Sequence, residues 1–167
     1  EGLTMAVDSS GFVYQTGRAI NAQGISTSTI SKLNQAGTAE VFRRTVPFTN
    51  LFVNQIAVDA ASNIYATGTP VSPTTLTATP GAFRTSGPGF LLKFTPDGLS
   101  TPLRTFLPAG AGSTGLLVDA AGAAYFNMDT PSAWGPVRLG EAIDSVGYAK
   151  VRPDFTGLEY SLSLIHI

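Results

Sequence analysis

No cysteine occurs in the 167 residues, which excludes disulfides, thiolate catalysis and every cysteine-based zinc or iron–sulfur site. The single histidine, His166, leaves too little material for a histidine metal site or a Ser-His-Asp triad. Charge is scarce: 13% of the residues are charged and the formal net charge is -1, so no basic field exists for nucleic acid or an anionic membrane. No apolar run reaches the roughly 18 residues that a membrane-spanning helix needs, and no signal peptide opens the chain. What is plentiful points elsewhere. Hydrophobic residues make up 43%, too many for a disordered tail, and 18 Gly with 11 Pro argue against a helical bundle.

Internal repetition decides the fold. Three segments align without gaps: Met5-Ala-Val-Asp-Ser-Ser-Gly-Phe-Val-Tyr-Gln-Thr-Gly17, Ile56-Ala-Val-Asp-Ala-Ala-Ser-Asn-Ile-Tyr-Ala-Thr-Gly68 and Leu116-Leu-Val-Asp-Ala-Ala-Gly-Ala-Ala-Tyr-Phe-Asn-Met128. Each sets an aspartate behind an apolar triplet and a tyrosine six residues further on: Asp8/Tyr14, Asp59/Tyr65 and Asp119/Tyr125. A second motif is interleaved, Ile30-Ser-Lys-Leu-Asn-Gln-Ala-Gly37, Leu91-Leu-Lys-Phe-Thr-Pro-Asp-Gly98 and Tyr148-Ala-Lys-Val-Arg-Pro-Asp-Phe-Thr-Gly157. The chain has three lysines, Lys32, Lys93 and Lys150, and all three hold the same place in it. From aspartate to aspartate the unit repeats every 51 to 60 residues.

Each unit reads as four strands. The apolar triplet is the first and ends in Asp-x-x-Gly turn chemistry. The second runs through the tyrosine, the third carries the lysine, and the fourth covers 39–46, 101–107 and 158–162. Charged members of the fourth (Glu40, Arg43, Arg44, Arg104, Glu159) suit an outer, wetter strand. The first is apolar at nearly every position, as expected of a strand covered on both faces. Four-stranded antiparallel units at this period describe the blades of a β-propeller. The expected fold is therefore all-β, about three blades of a larger propeller: 1–48, 49–107 and 108–161.

The motifs also carry a resemblance. Ala-Val-Asp-x-x-Gly/Ser-x-x-Tyr-x-Thr-Gly, then Thr79-Pro-Gly-Ala-Phe83, then Phe-x-x-Lys-Phe-x-Pro-Asp-Gly, resembles the bacterial SBBP-type β-propeller repeat family. The middle unit, 56–107, matches best. The first lacks the Thr-Pro-Gly-Ala-Phe element, and the third has Asn127-Met-Asp where Thr-Gly is expected. The resemblance implies a segment of a secreted or surface-exposed bacterial protein, extracellular in location, and implies no particular activity.

Three blades do not close a ring, since propellers have four to eight, so the remaining blades of a parent protein are the first expected partners. The last six residues, 162–167, read as the in-frame translation of a transposon-end sequencing adapter and are set apart from the third blade. On that reading His166 is not native.

Alternating strand direction places first-to-second and third-to-fourth turns at one end of each blade, and second-to-third loops at the other. The spacing from lysine to the next aspartate is nearly constant, 27 and 26 residues, whereas aspartate to lysine within a unit varies between 24, 34 and 31. Length variation thus falls in the second-to-third loop, where binding groups tend to sit on a rigid frame. Segment 69–83 is Thr- and Pro-rich and reads as an extended strap anchored by Phe83. Segment 130–145 holds the only tryptophan, Trp134, with Arg138, Glu141 and Asp144. An aromatic beside an arginine and carboxylates makes this the candidate loop for a glycan or protein ligand. Asp129, Glu141 and Asp144 are the candidate oxygen donors for calcium, but no EF-hand or nonapeptide spacing is present, and no cofactor is expected.

The repeated residues have structural roles on this reading. Asp8, Asp59 and Asp119 accept backbone N–H groups within their own turns. Tyr14, Tyr65 and Tyr125 pack between blades with the hydroxyl bonded. Lys32, Lys93 and Lys150 lay their stems along the blade flank and reach solvent or a carboxylate. The leading expectation is a non-catalytic scaffold for binding or display, with no nucleic-acid partner and no membrane span. The alternatives are a piece of a propeller enzyme acting on glycans as lyase or hydrolase, and a plain spacer in a repeat array.

Overall fold

A computed structural model describes residues 4–108, 111–128 and 147–163. Among them there is no helix, and none therefore that could cross a membrane. The strands fall in three groups of four. The first is β1 (Met5–Val7), β2 (Val13–Ile20), β3 (Ser26–Leu33) and β4 (Glu40–Thr49). The second is β5 (Leu51–Val58), β6 (Ile64–Pro70), β7 (Gly89–Phe94) and β8 (Leu103–Leu107). The third is β9 (Ala111–Val118), β10 (Ala124–Met128), β11 (Gly147–Val151) and β12 (Leu158–Ser163). Each group forms one sheet in sequence order, antiparallel throughout. The architecture is the expected one, all-β with three blade-like sheets of a propeller-like fold, and no closed barrel is formed among the described residues.

The turns explain why the repeats fold locally. The β1–β2 turn needs a residue at positive φ, supplied by Gly11 (84°), and the carboxylate of Asp8 accepts the N–H groups of Ser10 and Phe12, both at 3.0 Å. The third sheet repeats this with Gly122 (85°), and the second uses Ser62 (63°), a left-handed non-glycine residue. At the β3–β4, β7–β8 and β11–β12 turns the left-handed residue is Gly37, Gly98 and Phe155 (61°) in turn. Phe155 is fully buried, tilted against Tyr65 with ring centroids 6.3 Å apart. Its burial outweighs the cost of that backbone state, which is about 1–2 kcal/mol.

Strand alternation sends successive side chains of the middle sheet to opposite neighbours. Ile56, Ile64, Ala66, Leu92 and Phe94 join Tyr14 and Ile30 in one core. Ala57, Tyr65 and Leu91 face the other way and join Leu116, Ala124, Phe126, Ala149, Val151 and Phe155. The middle sheet is thus sandwiched.

Two expectations need correction. Coverage of the first strand on both faces holds for β5, where Ile56 and Ala57 are buried, but Met5 is 70% and Leu117 73% exposed. β1 and β9 belong to the outer sheets, so one face of each has no neighbouring sheet among the described residues. The fourth strand is wet in β4 but not in β8, where Thr105, Phe106 and Leu107 are buried. The extended segment after β6 lies along β8: Thr79 N–H donates to the Arg104 carbonyl at 2.9 Å, Arg104 Nε donates to the Thr77 carbonyl at 2.9 Å, and Phe106 N–H donates to the Arg84 carbonyl at 3.3 Å.

Candidate functional site

Cross-strand register brings the repeated residues into one row on each sheet. In the first, Ala6 lies opposite Tyr14, Tyr14 opposite Lys32, and Lys32 opposite Phe42. The second row is Ala57, Tyr65, Lys93 and Leu103, and the third is Leu117, Tyr125, Lys150 and Tyr160. Directly opposed residues share a face, so tyrosine and lysine stand side by side. The aspartate at the end of the first strand meets both.

The result is a polar clip built three times. Asp8 Oδ2 accepts the Tyr14 hydroxyl at 3.1 Å and lies 3.5 Å from Lys32 Nζ. Asp59 Oδ2 accepts Tyr65 at 3.2 Å, with Lys93 at 4.0 Å, and Asp119 Oδ2 accepts Tyr125 at 2.9 Å, with Lys150 at 3.4 Å. Each ammonium also sits over its tyrosine ring, at 4.8, 5.2 and 5.1 Å from the centroid, a cation–π contact. The other oxygen, Oδ1, closes the turn by accepting two backbone N–H groups in every copy.

The electrostatics fix the protonation states. Burial pushes the Asp8 carboxyl up, yet the Phe12 N–H, the Tyr14 hydroxyl, the Ser10 N–H and Lys32 together outweigh it and hold the group below its ordinary value. The Ala123 N–H is the main reason that Asp119 is also held down, with Tyr125 and Lys150 assisting. Burial and then the charge of Asp59 push the Tyr65 phenol well above its ordinary value. A hydrogen bond to Glu159, 2.8 Å away, leads the groups that push the Lys150 ammonium up. The Tyr65 phenol and the Lys150 ammonium therefore keep their protons at neutral pH, and neither is a general base.

Tyr14 and Tyr65 are buried between sheets, and the Tyr65 hydroxyl also reaches the Gly122 carbonyl of the next sheet at 3.3 Å. Tyr125 is half-buried and opens on a cavity of about 560 Å³ whose walls include Leu117, Tyr148, Tyr160, Gln55 and Asn127. Phe83 is half-buried against the second core, and its N–H donates to the Phe155 carbonyl at 2.9 Å. Trp134, Arg138, Glu141 and Asp144, with Asp129, lie outside the described residues, as does His166. Among the described residues no group of three or more His, Cys, Asp or Glu side chains gathers for a metal.

Sequence reasoning assigned Asp, Tyr and Lys separate structural roles but missed that they meet. Half of the signal was available: tyrosine follows aspartate by six residues in every unit, but the spacing from aspartate to lysine varies, so the lysine's place beside them depends on cross-strand register. The cavity was also missed.

The fold and the clip thus define an all-β chain of propeller-like blades. Compared with models of known protein families and with curated proteins, the chain matches none.

Proposed function

We propose that this chain is a non-catalytic β-propeller repeat segment of SBBP type, part of a secreted or surface bacterial protein, acting as a scaffold for binding or display. One observation carries the non-catalytic part. Among the described residues the Asp–Tyr–Lys clip recurs in every sheet, and its members are spent on one another. Each carboxylate takes two backbone N–H groups, a phenol and an ammonium, which leaves no free base or nucleophile within the clip. Three copies of one arrangement suit a frame, whereas an active site breaks the repeat. The bacterial, extracellular assignment is supported by the Ala-Val-Asp and Lys-Phe-x-Pro-Asp-Gly motifs and their resemblance.

Glycan and peptide arrays, run beside a panel of glycan substrates, test the reading. The expected result is binding without turnover, weakened at least about tenfold by Trp134→Ala as for a buried aromatic anchor. Turnover of any glycan overturns the non-catalytic assignment. A folded chain that binds nothing overturns the binding role.

A further inference from the structure

Two outer faces of the stack carry exposed apolar side chains. On the first sheet Met5 is 70% and Val7 58% exposed, and on the third Leu117 is 73% and Tyr148 43% exposed. The cavity of about 560 Å³ opens on the second of these faces and has the look of a small-ligand site. The repeat gives it another meaning. Two of its wall residues, Tyr125 and Tyr148, occupy positions that elsewhere touch a neighbouring sheet. Tyr125 stands where Tyr14 and Tyr65 stand, both 0% exposed, and Tyr148 stands where Ile30 and Leu91 stand, 1% and 0% exposed. Met5, in turn, stands where Ile56 and Leu116 stand, 5% and 7% exposed.

Both internal interfaces join unlike faces. The tyrosine row of the first sheet meets the Ile56 face of the second, and the tyrosine row of the second meets the Leu116 face of the third. One tyrosine-row face and one Met5-type face are left without a neighbour among the described residues, and they are the two halves of the interface already formed twice. We infer that the Tyr125 face of this chain is a docking surface for the Met5 face of a second copy, so that copies associate head to tail. The cavity is the gap between side chains that such a sheet fills, and apolar patches of this kind mark interfaces. Pairing of unlike faces is heterologous, and two copies that meet at both ends supply six sheets, within the four to eight of a propeller ring. The pairing rests on repeat geometry alone, so a chain that binds no glycan or peptide still associates.

Sedimentation or light scattering on the full chain, with two single-face variants, tests this. Leu117→Lys disables one face and Met5→Lys the other. Both positions are exposed, so neither change enters a core, and Tyr148→Lys with Val7→Lys forms an independent second pair. The wild-type chain is expected to associate with rising concentration, each variant alone to run as a monomer, and an equimolar mixture of the two to form a heterodimer that stops at two chains. A wild-type chain that remains monomeric overturns the inference. Association of either variant by itself, which like-with-like pairing produces, overturns it too, as does a mixture that stays monomeric.

Discussion

Replacing the clip aspartate with alanine in each sheet in turn should give three unequal losses, ranked by burial. The Asp8 side chain is 2% exposed, that of Asp59 7% and that of Asp119 31%. Asp8→Ala strands the hydroxyl of Tyr14, a fully buried residue, at a cost of about 1–3 kcal/mol. It also removes the acceptor for the Phe12 N–H, worth about 1 kcal/mol, and the partner of a Lys32 side chain that is 15% exposed. The whole loss comes to about 3–5 kcal/mol, in line with breaking one side of a buried charge pair. In the third sheet Tyr125 is half-buried and Lys150 keeps Glu159 at 2.8 Å, so Asp119→Ala should cost the least of the three. Urea denaturation reads the difference. With slopes of about 1–3 kcal/mol per molar, the midpoint for Asp8→Ala should fall about 1 M or more below that for Asp119→Ala, at unchanged slope. Equal midpoints, or a lower one for Asp119→Ala, would refute the assignment of stability to the buried clip.

The fold holds the Asp8 proton more weakly than the unfolded chain does, so this group's stabilisation is complete above its ordinary value of 3.8 and is lost as pH falls through the lower folded value. Asp8→Asn should therefore flatten the acid side of a stability–pH profile, and a profile parallel to wild type contradicts this. Tyr65 behaves in the opposite sense: its raised folded value makes its contribution full below the ordinary value of 10.0 and lost at higher pH, so absorbance titration should show a late-ionising phenol in the wild-type chain. Tyr65→Phe should remove that signal and cost about 1 kcal/mol in chemical denaturation. Two left-handed residues should respond with opposite sign: Ser62→Gly relieves strain and gains about 1 kcal/mol, whereas Phe155→Gly loses about 2–4 kcal/mol because a buried ring outweighs the relief. Melting temperatures that move the same way for both would contradict that balance.

Strand count, order and pairing were legible in the sequence because they rest on local signals. Apolar triplets, Asp-x-x-Gly turns and lysine-bearing strands recur at readable spacing, and the period-2 pattern decides which side faces a core. The clip was half legible: Asp8, Tyr14 and Lys32 were singled out one by one, but their meeting depends on cross-strand register, which single-strand patterns do not contain. Exposure of Met5 and Leu117 was not legible, since an apolar residue reads the same whether or not a sheet lies beyond it. The left-handed residue of the β11–β12 turn is Phe155, where the first two sheets have Gly37 and Gly98, and burial beside Tyr65 offsets the strain that glycine avoids.

The extended segment after β6 has a consequence for how such a chain can be rearranged. It touches all three sheets: the Thr75 hydroxyl accepts the Thr49 N–H of the first at 3.0 Å, Thr79 bonds Arg104 of the second, and Phe83 bonds Phe155 of the third. Units that share only the clip are interchangeable modules, and gene duplication can add or delete them without rewriting their neighbours. The middle unit is not one of these. Its strap is fitted to a particular sheet on either side, so shuffling this unit to another position leaves both ends of the strap without a mate, and the order of the three units is inherited as a block.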